Sequence, residues 1–305
     1  MGISIFLGEA NDLEHNVQQV VGVEQDGFDG AWFGQIFGAD AMTALALAGG
    51  RTNRIELGTA VIPTYPRHPY VLAQPALTVQ AATGGRFTLG IGPSHGLVVE
   101  GIWGLSYEKP ARHVRQYLSV LRPLVHEGRA QTDGDLFRVN ASLRVNGAKP
   151  PPILIAALAP VMLRIAGEMT EGTITWMTGP KTIESHIAPR ISAAAKAAGR
   201  PAPRVCVGLP IAVTGDPAAA RERAAQAFQL YGQLPNYRRV LDKEGAKGPA
   251  DVAIIGDEAE VEKQVRALAS TGATDFLAAE FPVEDDAEAS LARTRALLKG
   301  LVGKV

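Results

Sequence analysis

A chain of 305 residues with 30 Lys plus Arg against 31 Asp plus Glu carries a formal charge of −1, which excludes the clustered cationic excess of a nucleic-acid binder. Apolar residues at 46% with mean hydropathy +0.05 supply a sizeable core and exclude disorder, and 33 Gly and 20 Pro without a period punctuate turns rather than build a fibre. One cysteine, Cys206, excludes an internal disulfide and any Cys-based metal site.

The N-terminus lacks the basic n-region of a signal peptide, and the most apolar window, 153–163, falls far short of the roughly 20 residues that cross a bilayer. A cytoplasmic protein without a membrane partner is expected. Short β-type runs then alternate with helical patterns. The first run is 3–7, followed by a helix with Asn11 or Asp12 as N-cap and Val17, Val20, Val21 and Val23 on one face. Residues 28–33 read as strand two, 41–48 as a helix closed by Gly49-Gly50, and 55–62 as strand three. A helix within 71–82 precedes strand four at 87–92, and a long helix covers 112–126. Strand five is 153–157, with a helix from Pro160; strand six is 173–176, with a helix over 182–198. Strand seven is 204–214, and Pro217 suits the first turn of the next helix. A helix through 258–268, strand eight at 275–279 and a helix over 284–298 complete the chain.

Alternating strands and helices require a parallel sheet. Eight such units over this length suit a closed (β/α)8 TIM barrel, ordinarily about 250 residues, with a doubly wound sheet as the alternative that periodicity cannot separate. The surplus length falls near 129–150 and 231–256, read as insertions in a single domain spanning 1–305.

Barrel chemistry sits at the C-terminal ends of strands. The run Gly90-Ile91-Gly92-Pro93-Ser94-His95-Gly96 mimics a dinucleotide fingerprint, but its third Gly is displaced and Pro93 removes a needed N–H. The six histidines show no metal-ligand spacing, so no metal is expected, and His15, His113, His126 and His186 fall on helices in ordinary, partly exposed roles. His68 and His95 differ, because both follow strands. There an imidazole can move a proton near neutral pH, or merely hydrogen-bond backbone in a tight loop. Arg67 suits an anionic ligand group or a solvated surface equally. Trp32 and Trp176 read as packing inside the barrel or under its rim. Small residues at Ala156-Ala157 and Thr178-Gly179 leave N–H groups open to a phosphate at a helix start, Lys181 adding charge, or simply serve tight turns.

The run Gly58-Thr59-Ala60-Val61-Ile62-Pro63-Thr64-Tyr65-Pro66-Arg67-His68-Pro69, with 27–32, 87–92 and 254–258, resembles the luciferase-like monooxygenase superfamily, and most closely its branch using the deazaflavin coenzyme F420. The resemblance spans nearly the whole chain. It implies a barrel holding a flavin-type ring at its mouth, buttressed by a non-prolyl cis peptide that here would be Ala60–Val61. Pro93, Ser94 and His95 would lie near ring and substrate, and Ala157, Leu158, Thr178 and Gly179 would take the phosphate. Where several F420 enzymes carry an Asp or Ser followed by His after strand two this chain has Gly34-Gln35-Ile36, and where some carry Glu in loop four it has His95. His95 is therefore the expected proton donor, and Gln35 a hydrogen-bonding group for ring or substrate. The resemblance implies hydride transfer between the deazaflavin C5 and a small organic substrate. Reduced-FMN-dependent monooxygenation and a catalytically silent flavin-binding barrel are the alternatives. Family members are often dimers, so a homodimer is expected, and 41–48 is apolar enough to pack against a partner or, equally, against the barrel. Ile36, Phe37, Trp103 and Tyr107 suggest an apolar pocket.

Overall fold

Each apolar run gives rise to a strand in a computed structural model that describes residues 1–283 and 287–305. Eight strands are parallel: β1 (Gly2–Glu9), β2 (Gly30–Gly34), β3 (Glu56–Thr59), β4 (Phe87–Gly92), β5 (Ile153–Ala156), β6 (Gly172–Trp176), β7 (Arg204–Val213) and β8 (Asp275–Glu280). Each pairs with the next, and β8 pairs back onto β1 through Ile3↔Phe276 and Ile5↔Ala278. The sheet thus closes into a (β/α)8 barrel, which settles the topology that periodicity left open. No helix among the described residues is long and apolar enough to cross a membrane.

Helices cover the barrel where the caps placed them. The Asp12 side chain accepts from the His15 N–H and starts Leu13–Gln25, while Asp216 and Pro217 start Pro217–Ala227. The last helix is described from Ala287 to Leu301, and the expected start at 284–286 lies outside the described residues. The insertion near 129–150 carries an antiparallel hairpin, Arg129–Asp133 with Arg138–Ser142. The second, near 231–256, holds helix Pro235–Glu244, and its strand Ile254–Gly256 joins the edge of β7.

One expected strand is two. The run 55–62 breaks after Thr59, and Ile62–Pro63 pairs separately with Ile91 and Gly92. β3 lies between β2 and β4; its pairing with β2 ends where the Ala60 N–H donates to the Phe33 carbonyl at 2.7 Å, and pairing with β4 resumes at Ile62. Apolar periodicity cannot register this interruption.

Inside the barrel, Trp32, Leu154, Ile174, Cys206 and Leu277 pack together beneath Phe6, Ala60 and Val61. Gly58 permits it: a Cβ there would stand 2.1 Å from Trp32 Cε3. Gly58→Ala is therefore expected to overpack the barrel and cost about 1–3 kcal/mol, read from denaturant unfolding. An unchanged midpoint would show that Trp32 can move aside.

The opposite, N-terminal end of the barrel is closed by charge. Arg204 opens β7 and donates to Glu56 Oε1 at 2.7 Å and to Asp275 Oδ1 at 2.7 Å, its guanidinium lying 5.9 Å from the centre of the Trp32 ring. Thr88 donates to Glu56, and Cys206 to Asp275 Oδ2 at 3.4 Å. Four strands are tied at the face where barrels keep stability rather than chemistry.

Candidate active site at the barrel mouth

The floor of the mouth is built where β3 breaks. The Ala60–Val61 peptide is cis, at the position implied by the resemblance. A Cβ on Gly92 would stand 2.8 Å from Val61 Cγ2 and 3.1 Å from Ala156 Cβ, and one on Gly34 would stand 3.6 Å from the Ala60 oxygen. The loops after β2, β3, β4 and β5 therefore converge, bringing Ala60 and Val61 beside the turns that carry Pro93, Ser94 and Ala157. Ser94 and Met177 adopt left-handed conformations with φ of 60° and 52° at the ends of β4 and β6. Non-glycine residues held there mark over-determined backbone, a feature that concentrates at functional sites.

The walls are aromatic. An arc runs from Phe6 to Trp176 (centroids 5.5 Å apart), to Tyr231 (5.8 Å), to Tyr237 (5.2 Å) and to His95 (5.5 Å). Opposite, the Tyr107 hydroxyl donates to the Ser94 carbonyl at 2.9 Å, and Tyr107 and His113 flank Tyr65, the His113 ring stacked at 3.9 Å. Trp176, expected inside the barrel or under its rim, is half-buried in this wall. Tyr231 and Tyr237 come from the second insertion and were missed. They lie more than fifty residues from Trp176 in a polar segment with no alternating pattern, so nothing local marks them.

Burial keeps the ionisable rings of this wall uncharged at physiological pH. Burial lowers the His95 pKa, so its imidazole is uncharged, and burial pushes Tyr65 and Tyr107 up to about 12. Burial likewise raises Tyr237.

The sequence-derived residues divide in their placement. Gln35, expected to face ring or substrate, instead accepts from the Ala41 N–H at 3.1 Å and donates to Asp40, which also pairs with Arg67. Its amide helps hold the start of helix Ala41–Gly49, and no hydrogen bond or ring contact joins it to His95. His68 accepts from the Tyr70 N–H and caps helix Pro69–Ala82. At Thr178-Gly179 an internal anion stands in the expected phosphate position. Glu244, from helix Pro235–Glu244, accepts from the N–H groups of Lys181 (3.2 Å) and Thr182 (2.7 Å), and a Cβ on Gly179 would stand 2.4 Å from its carboxyl carbon. The helix start after Ala157 and Leu158 differs, because Ala159 offers helix Pro160–Met169 no side-chain cap.

Two helical histidines depart from the expected partial exposure. His186 is buried, and its Nε2 donates to the Leu158 carbonyl at 2.8 Å from a π-helical turn, Ile183–Ile187. His113 is also buried, hydrogen-bonded to Thr64 Oγ1 at 3.0 Å, with its pKa lowered by burial from 6.5 to about 4. In the unfolded chain it takes up a proton near pH 6.5 that the fold refuses. Its contribution is therefore complete above pH 6.5 and lost as the pH falls towards 4, by roughly 3 kcal/mol in all. His113→Gln is expected to flatten this dependence in urea unfolding between pH 7 and 4.5. An unchanged slope would place the titration elsewhere.

Glu9, at the end of β1, was also missed. Its Oε1 accepts from the N–H groups of Ile36, Phe37 and Gly38, pinning the loop after β2.

An aromatic wall at the C-terminal mouth of a closed parallel barrel stands where such folds bind their ligands. The sequence profile of the luciferase-like monooxygenase family matches residues 2–288. The chain belongs to that family. This luciferase-like protein is thereby an enzyme of the oxidoreductase class. It is 30% identical over 235 residues to the 5,10-methylenetetrahydromethanopterin reductase of Methanolobus tindarius, covering 76% of this chain and 71% of the relative. Among solved structures it superposes on the coenzyme F420-dependent tetrahydromethanopterin reductase of Methanopyrus kandleri with a TM-score of 0.81 at 22% identity, over 99% of this chain and 98% of the other. The FMN-bound oxygenating constituent of 3,6-diketocamphane monooxygenase from Pseudomonas putida gives 0.77 at 15% identity, over 100% and 97%. At these identities the superpositions establish the fold of this luciferase-like chain.

Proposed function

We propose that this luciferase-like enzyme is a coenzyme F420-dependent oxidoreductase acting on a small organic substrate. The observation that carries the reading is the aromatic wall at the barrel mouth with an unpaired buried hydroxyl in it. Tyr65 Oη is buried without a hydrogen-bond partner, a costly arrangement that a ring with carbonyl acceptors relieves. The residues present therefore fit a deazaflavin or flavin ring. Ala60 and Val61 would support one face of it, with Pro93 and Ser94 at its edge. Ala157 and Leu158 lead to the uncapped helix start, where N–H groups suit a phosphate. Thr178 and Gly179 would serve it only with Glu244 withdrawn.

When bound, F420 supplies a hydride donor or acceptor at C5. The chain would hold the reacting partners together, the contribution that proximity makes to such reactions. His95 holds or releases the proton at one ring nitrogen, while Tyr237 packs against the imidazole. The FMN-bound structural neighbour makes reduced FMN the second reading.

The test is turnover. Oxidation of reduced F420, followed by the return of its visible absorbance against a panel of ketones, aldehydes and enones, is expected to proceed in the absence of oxygen. Turnover only with reduced FMN and oxygen would replace this reading with monooxygenation.

A further inference from the structure

The second insertion reaches the mouth as one helical stripe. In helix Pro235–Glu244, Tyr237, Val240, Leu241 and Glu244 follow the i, i+3, i+4, i+7 spacing of a single face, and Val240 and Leu241 are buried. At one end of the stripe Tyr237 packs on His95 and on Tyr231, which packs on Trp176. At the other end, about two turns away, the Glu244 carboxylate accepts from the N–H groups of Lys181 and Thr182. Beside it the Thr182 hydroxyl donates to the Val240 carbonyl at 3.2 Å. One short helix joins this anchorage to the ring against His95.

Glu244 is badly placed for its own helix and well placed for its neighbour. A carboxylate at a helix C-terminus meets the negative end of the dipole. Across the gap it meets the helical segment that opens at Pro180, where Gly179 offers no side-chain cap, and it supplies the missing acceptor. The seat at Gly179 has no room for a Cβ beside that carboxyl group. Arg238, on the same helix, instead bonds Asp242, Ala246 and Lys247 and stays within the insertion. The turn that receives Glu244 follows directly from Trp176, whose carbonyl accepts from Thr178 Oγ1 at 3.1 Å. Glu244 thus fastens the insertion to the strand end that carries the rest of the aromatic wall.

We propose that Glu244 is a positioning residue for the reaction at the mouth: clamped to the turn after β6, it holds Tyr237 against the His95 imidazole and keeps that ring in its buried setting. What His95 does there rests on the oxidoreductase reading above; where the imidazole sits does not. Burial is the cause that lowers the His95 pKa, so loosening the wall lets it rise towards 6.5. The insertion brings Tyr237 to this ring, with Arg238 and Asp242 paired to each other. On the loop of His95 itself, Tyr107 lies against Gly96 with its hydroxyl on the Ser94 carbonyl, and Glu100 accepts from the Tyr107 N–H.

The test follows the His95 imidazole by NMR titration of the full chain without cofactor, its signal assigned by its loss in His95→Gln. Glu244→Ala is expected to raise the His95 pKa by about 0.5 or more, and Tyr237→Ala to raise it at least as far. The double variant should add nothing to Tyr237→Ala alone, because the carboxylate acts through the tyrosine. Glu244→Gln keeps one acceptor oxygen for two N–H groups; it should fall between the parent and Glu244→Ala, and it serves if the alanine impairs folding. With coenzyme F420 and a substrate that turns over, Glu244→Ala is expected to lose about tenfold in kcat with KM within about twofold. An unchanged His95 titration in Glu244→Ala, with cooperative melting retained, would overturn the proposal. So would an additive effect in the double variant, or a parental kcat. Absence of F420 turnover in the parent would count against the oxidoreductase reading alone, since the titration needs neither cofactor nor substrate.

Discussion

Replacing Arg204 with alanine is expected to destabilise the barrel by about 3–5 kcal/mol, because it strands two partly buried carboxylates. Arg204, Glu56 and Asp275 are only 28%, 26% and 16% exposed, so solvent screening removes little of the penalty. Burial alone would raise the Asp275 pKa, but the hydrogen bonds and charge of Arg204, with bonds from Thr274 and Cys206, hold it below the usual carboxylate range. A depressed carboxylate contributes stability above its unfolded value and loses it as the pH falls through the folded one. The cost of Arg204→Ala should therefore shrink in acid. A triple variant, Arg204→Met with Glu56→Gln and Asp275→Asn, is expected to recover much of the loss, since it removes the charges together. Urea unfolding of the parent and both variants checks this. A single variant within about 1 kcal/mol of the parent would refute the network's role.

The second large effect falls on rate. His95→Gln keeps a hydrogen-bonding side chain but cannot carry a proton, and kcat is expected to drop by about 10²–10⁴-fold. Burial lowers the His95 pKa, so the neutral imidazole persists below the usual histidine range. In the parent, substrate oxidation, which needs an acceptor for the proton, should hold its rate as the pH falls below 6.5. Carbonyl reduction, which needs a donor, should rise over the same interval. Both trends should vanish in His95→Gln. A variant that keeps parental kcat and pH profiles would remove His95 from proton transfer without touching the fold.

The barrel was legible because its strands are apolar runs flanked by caps such as Asp12 and Pro217, and eight of them leave little choice of architecture. The break in β3 was not legible from the pattern of residues 55–62, since apolar residues continue through it and alternation is blind to where a ladder is interrupted. The resemblance alone pointed to the cis peptide there. The site was half legible for the same reason. His95, Ala60, Val61, Pro93 and Ser94 lie in loops adjacent to strands, where position along the chain implies position at the mouth. Gln35 did not behave as expected because Asp40 and the Ala41 N–H, just along the chain, offer its amide satisfied partners. Glu244, Tyr231 and Tyr237 reach the mouth from an insertion, and only tertiary packing brings them there. The buried His113 and His186 answer to Thr64 and the Leu158 carbonyl, partners 49 and 28 residues away that no helical pattern reveals.

Everything proposed for the mouth depends on which ring it binds. Titration of the apo-protein with coenzyme F420 and with FMN, followed by cofactor fluorescence, decides this most directly. Micromolar binding of F420 with at least about tenfold weaker binding of FMN is expected. Micromolar binding of FMN with no binding of F420 would contradict it.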